Sequence, residues 1–122
     1  MATILVVDDN AVSQRLLAHT LRKYNHTVLT VSSAAAALGE LNTQSFDLVI
    51  TDLAMPEMDG IALLKTIHAE TRWLNLPVIM LTASGEDHDR LVAREAGAAG
   101  FLTKPTSSNE LVETVNQCLA GK

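Results

Sequence analysis

Five short runs rich in β-branched residues, separated by segments with helical spacing, leave this chain little choice of fold. The runs cover residues 3–7, 27–31, 48–51, 78–81 and, more weakly, 100–103. The first, third and fourth are almost continuously apolar rather than alternating, which is the pattern of strands covered by helices on both sheet faces. Between the runs, apolar residues recur at helical spacing: Leu16, Leu17 and Leu21; Ala34, Ala37, Leu38 and Leu41; Leu63, Leu64 and Ile67; Leu91 and Ala96; Leu111, Val115, Cys118 and Leu119. Ser107, three residues before Glu110, has the spacing of a capping box and predicts a helix start there. Strand and helix alternating in this way predict a doubly wound α/β sandwich on a parallel sheet, because right-handed crossovers return each helix to one sheet face or the other.

The chain of 122 residues is 48% apolar and 19% charged, enough for one self-supporting core, and no linker, fixed-period repeat or low-complexity tract divides it. One domain over 1–122 is expected, with no output domain after the last helix. A net charge of −5 argues against a general binder of nucleic-acid phosphates. Cys118 is the sole cysteine, no run could span a bilayer, and the N-terminal apolar run lacks a basic leader; the expected setting is cytoplasmic.

In a sheet of this kind chemistry gathers at the carboxyl ends of the strands, near the point where strand order reverses. The residues there are Asp8 and Asp9 after the first strand, Asp52 after the third, Thr82 and Ala83 after the fourth, and Lys104 and Pro105 after the fifth. Three carboxylates sharing a small volume repel one another unless a cation or a proton intervenes. Mg²⁺ takes a few carboxylate oxygens, keeps several waters, and leaves positions open for phosphate oxygens. Lys104 adds a positive charge, Thr82 a hydroxyl donor, and backbone N–H groups after Asp52 and Thr82 further donors, a set suited to phosphoryl transfer.

On the segments Val6-Val7-Asp8-Asp9, Asp52-Leu53-Ala54-Met55-Pro56-Glu57-Met58-Asp59-Gly60, Leu81-Thr82-Ala83 and Lys104-Pro105, the sequence resembles the receiver domains of two-component response regulators, over essentially its whole length. The resemblance implies a flavodoxin-like (βα)5 sandwich with strand order 2-1-3-4-5. It also implies that Asp52 is the phosphoacceptor, and that Asp8, Asp9, Asp52 and the Ala54 main-chain carbonyl hold Mg²⁺ or Mn²⁺. Lys104 would contact the phosphoryl group and be joined to Pro105 by a cis peptide bond. Thr82 would be the switch hydroxyl, with Phe101 following it inward in place of the tyrosine often found there. Gly60 would permit a turn. The implied phosphodonor is a histidine kinase or a histidine phosphotransfer protein, met near Ser13 and Gln14. A downstream protein would be met on the fourth helix, fifth strand and fifth helix, and the expected state is a monomer. Such a switch catalyses its own phosphorylation and dephosphorylation, the latter at a rate set partly by side chains at positions such as Ala54 and Ser84.

Each residue alone has an ordinary reading. Asp8 and Asp9 could cap the helix that begins near Asn10, and Glu86, Asp87 and Asp89 suit the first turn of a helix by its dipole. Cys118 reads as a small core residue, Trp73 as a loop cover or a contact, and the four histidines, without metal-ligand spacing, as exposed. The joint placement at one sheet edge decides for a phosphoryl-accepting switch. A receiver-like adaptor that binds partners without phosphorylation is the alternative, and a flavin or nucleotide enzyme lacks its glycine-rich loop after the first strand.

Overall fold

The computed structural model describes residues 2–83 and 87–120. Five strands, β1 (Thr3–Val7), β2 (Thr27–Val31), β3 (Leu48–Asp52), β4 (Val78–Thr82) and β5 (Gly100–Thr103), alternate with α1 (Ala11–Lys23), α2 (Ala34–Thr43), α3 (Gly60–Ala69), α4 (Asp87–Ala96) and α5 (Ser108–Ala120). All strands pair in parallel in the order β2-β1-β3-β4-β5. The order reverses between β1 and β3, which carry Asp8, Asp9 and Asp52 at their carboxyl ends. Strands β3 and β4 run one residue further than the apolar runs, so Asp52 and Thr82 close their strands instead of following them.

The continuous apolar runs are explained by two separate cores. Ile4, Val6, Ile50, Ile79 and Leu81 face α1 and α5, while Leu5, Val7, Val49, Val78 and Met80 face the helices on the opposite side of the sheet. Strands β3 and β4 are buried at every position. Helices α1, α2, α3 and α5 start where short polar residues accept their free N–H groups: Asn10 accepts from Ser13, Ser33 from Ala36, Asp59 from Ala62, and Ser107 from Glu110. Of the capping box, the Glu110 side chain returns to the Ser107 hydroxyl at 3.3 Å.

Two leucines assigned to helix stripes are not in the core. Leu16 is 65% exposed and Leu91 51% exposed. The buried face of α1 is Leu17, Ala18 and Leu21, and Leu16 lies about 100° away from Leu17 around the helix. On α4 the residues packed on the core are Ala93, buried, and Ala96, partly buried, which leaves the side of Leu91 to solvent.

Gly60 serves a close approach, not a turn conformation. As the first residue of α3 it donates its N–H to the Leu53 carbonyl, and a Cβ placed on it would lie 2.5 Å from the Asp52 carbonyl oxygen. The left-handed residue of that loop is Glu57, with φ of 69°.

Nor are all the histidines exposed. His19 and His88 are, and His68 is half-buried with Nε2 paired to the Leu76 carbonyl. His26 is 9% exposed, and its Nδ1 accepts the Ala2 N–H at 3.1 Å, joining the starts of β1 and β2. Burial lowers its pKa below the ordinary imidazole value of 6.5. The unfolded chain therefore binds the proton more readily than the folded one. The stability so gained is present above about pH 6.5 and is lost as the pH falls below it. Urea unfolding at about pH 7.5 and about pH 5.5 should show a loss at the lower pH, of which His26→Gln removes on the order of 1 kcal/mol. An equal loss in both proteins would show that His26 does not carry it.

Candidate functional site

Three strand ends bring their polar residues to one rim of the sheet. Ligand oxygens of Asp8, Asp9 and Asp52 all lie within 4.8 Å of one another. Asp8 is fully buried, Asp52 is 8% exposed, and Asp9 is exposed. From the end of β5, Lys104 reaches across with Nζ 2.8 Å from Asp8 Oδ2 and 3.4 Å from Asp52 Oδ2.

Local hydrogen bonds fix this geometry. The Asp8 N–H donates to the Val31 carbonyl and the Asn10 N–H donates to Asp8 Oδ1, so the chain turns into α1 directly after the carboxylates. The Gln14 carboxamide donates to the carbonyls of Asp8 and Val31 and to the Ser32 hydroxyl, tying β1 and β2 together beside the site. The Leu53 N–H bonds the Leu81 carbonyl, and the Lys104 N–H bonds the Thr82 carbonyl at 2.6 Å, which holds the ends of β3, β4 and β5 level. The Lys104–Pro105 peptide bond is cis.

Charge is poorly balanced in this rim, because three carboxylates face one ammonium. Burial raises the pKa of Asp52 above the ordinary carboxylate value; Lys104 opposes that shift and the charge of Asp8 adds to it. For Lys104, burial alone would lower the pKa, but the hydrogen bond to Asp8 and the attraction of both acids outweigh it and raise the value. Lys104 is thus charged throughout the neutral range, and its contribution is lost only as the pH rises through that raised value. The donor set, hard oxygens with excess negative charge at a partly open rim, fits a divalent cation of the Mg²⁺ type.

The other residues singled out from the sequence sit nearby. Thr82, Ala54 and Ala83 line the cleft above Asp52. The Ala54 N–H donates to Asp52 Oδ1 at 3.4 Å. Phe101 is half-buried on β5, opposite Met80, with the Arg90 guanidinium 4.8 Å from its ring centre. Ser13 lies on α1 beside an apolar groove that continues to Lys104 and Pro105. Ser84 and Glu86 fall outside the described residues. Sequence reasoning missed the Gln14 clamp, for which a lone glutamine carries no signal. It also missed the cap by Asp59, although an Asp just before an apolar helical run is a recognised start signal.

Residues 4–116 match the family model of the response regulator receiver domain, and the chain belongs to that family. It is 35% identical over 116 residues to the alkaline phosphatase synthesis transcriptional regulatory protein PhoP of Bacillus subtilis, covering 95% of this chain and 48% of PhoP. This chain thus spans about half the length of that relative. Among solved structures, the chemotaxis response regulator CheY4 of Vibrio cholerae superposes with a TM-score of 0.91 at 29% identity, over 97% of this chain and 98% of that one. A Chloroflexus aurantiacus protein described as a response regulator superposes with a TM-score of 0.94 at 34% identity, over 98% of both chains.

Proposed function

We propose that this receiver accepts a phosphoryl group from a phosphohistidine onto Asp52 in a Mg²⁺-dependent reaction and changes its partner surface in response. The reading is carried by the convergence of Asp8, Asp9, Asp52 and Lys104 at the rim where the strand order of the sheet reverses. An Asp52 oxygen attacks phosphorus, the phosphorus–nitrogen bond of the donor breaks, and the donor imidazole keeps the electron pair and takes up a proton. Bound Mg²⁺, held by Asp8, Asp9, Asp52 and the Ala54 carbonyl, would neutralise charge on the moving group. Lys104 supplies the fixed positive charge on the other side and orients the acceptor carboxylate.

In this reading the new group brings roughly −1.5 to −2 charges to the rim and draws the Thr82 hydroxyl toward it. Phe101 then moves inward on β5, and the surface of α4, β5 and α5 changes for a downstream protein. A histidine kinase or histidine phosphotransfer protein is the donor, and its approach is over α1. Acetyl phosphate tests the chemistry without a partner. With Mg²⁺ the protein should gain one phosphoryl group, stable in acid and labile in base, as read by mass spectrometry, and with chelator it should gain none. Labelling that is indifferent to the chelator counts against the reading. No observation favours an adaptor that ignores phosphorylation.

A further inference from the structure

The cleft above Asp52 contains an acid to which the reading so far gives no task. It has a volume of about 770 Å³, and its lining includes Ala54, Thr82, Ala83, Lys104 and, from α4, Asp89. Asp59, also on its wall, is committed to capping α3. Asp89 has no hydrogen bond or ion pair with other described residues. Its neighbours Asp87, His88 and Arg90 are exposed, whereas Asp89 is half-buried against the cleft. A helix dipole would be satisfied by Asp87 alone, so it does not explain why Asp89 is turned inward.

We infer that Asp89 holds the water that hydrolyses the phosphoryl group on Asp52 and takes its proton, an inference that rests on Asp52 being the acceptor. Hydrolysis in line with the breaking bond requires the water to stand beyond phosphorus, on the side away from Asp52. A group that holds this water lies one bond, one near-attack distance and one hydrogen bond from the Asp52 oxygen, on the order of 7 Å in all. Asp8 and Asp9 cannot serve, because they crowd Asp52 within 4.8 Å. Asp89 lines the same cleft as Asp52 without bonding to it, which leaves cleft space between the two for a phosphoryl group and a water. Two of the lining residues, Ala54 and Ala83, extend no further than a methyl group.

The water oxygen bonds to phosphorus as the bond from phosphorus to Asp52 breaks. The electron pair returns to the Asp52 carboxylate, the proton passes to Asp89 and on to solvent, and inorganic phosphate leaves. To test this, protein loaded with acetyl phosphate and Mg²⁺ is freed of donor, and the loss of acyl phosphate is followed. Asp89→Ala and Asp89→Asn should each slow that loss at least about tenfold, and Asp89→Glu should restore it to within about threefold of wild type. Beryllofluoride, which occupies the phosphoryl position and presents nothing to hydrolyse, should bind all four proteins with Kd values within about twofold by fluorine NMR. Decay in Asp89→Ala that matches or exceeds the wild-type rate overturns the inference, as does a parallel loss of beryllofluoride binding, which would mark a structural role. Wild-type protein that forms no acyl phosphate but binds beryllofluoride would instead overturn the assignment of Asp52 chemistry on which the inference stands.

Discussion

Asp52→Asn is expected to abolish acyl phosphate formation and, at the same time, to raise the stability of the metal-free protein at neutral pH. The first effect follows from chemistry: an amide oxygen is a poor nucleophile toward phosphorus, and no second carboxylate occupies the place of Asp52 at the end of β3. Asp8 is fully buried and already pairs with Lys104, while Asp9 points into the exposed rim. The second effect follows from the raised pKa of Asp52, caused first by burial. A folded state that binds a proton more tightly than the unfolded state loses stability as the pH rises from 3.8 through the folded value. At neutral pH the ionised Asp52 is therefore a cost to the fold, and an isosteric neutral side chain relieves it by on the order of 1 kcal/mol. Intact-mass spectrometry reads the adduct, and urea unfolding in chelator reads the stability. A variant labelled as fully as wild type would remove Asp52 from the mechanism. A variant less stable than wild type would show that hydrogen bonding to the carboxylate, from Ala54 and Lys104, outweighs its desolvation.

How far the sequence discloses this molecule depends on which physical signal each residue carries. The uninterrupted apolar stretches of β1, β3 and β4 reveal a parallel sheet because both of its faces must be buried, and the structure shows the residues alternating between two cores. The family assignment and the strand order follow from motifs placed at the strand ends, where topology alone already concentrates polar groups. Leu16 and Leu91 mislead because hydrophobicity is a reliable sign of burial only when the residue also lies on the right arc of its helix. His26 misleads in the other direction: a polar type that usually faces water is here the acceptor for a backbone N–H at the start of β1. Gly60 was legible as a necessary glycine, but the reason for it, the Asp52 carbonyl against its Cα, exists only once α3 is docked on β3. The arc of α4 that turns Asp89 toward the cleft is likewise a product of packing.

Lys104→Met is expected to have an equally large but different outcome. The substitution keeps an unbranched side chain of similar length and removes only the ammonium that lies 2.8 Å from Asp8 and 3.4 Å from Asp52. Two carboxylates with side chains 1% and 10% exposed then face each other without a counter-charge. Because the rim is partly wet, the loss should fall at or below the range for a broken buried pair, roughly 2–4 kcal/mol at about pH 7 in chelator. Two treatments should restore much of it. Mg²⁺ at millimolar levels returns positive charge to the same oxygens. Lowering the pH neutralises Asp52, and its raised pKa places that protonation above the unfolded carboxylate value, so the deficit narrows as the pH falls. Stability regained with Mg²⁺ does not bring back function, because the cation would sit among the acids while the fixed charge on the Lys104 side of the phosphoryl group stays missing. The initial rate of labelling by acetyl phosphate should remain at least about a hundredfold below wild type, the scale for deleting one preorganised donor to a developing charge. Urea unfolding with and without Mg²⁺, run beside the labelling assay, separates the two roles. A variant with wild-type stability in chelator, or one that is labelled normally, would show that Lys104 neither balances the acids nor meets the phosphoryl group.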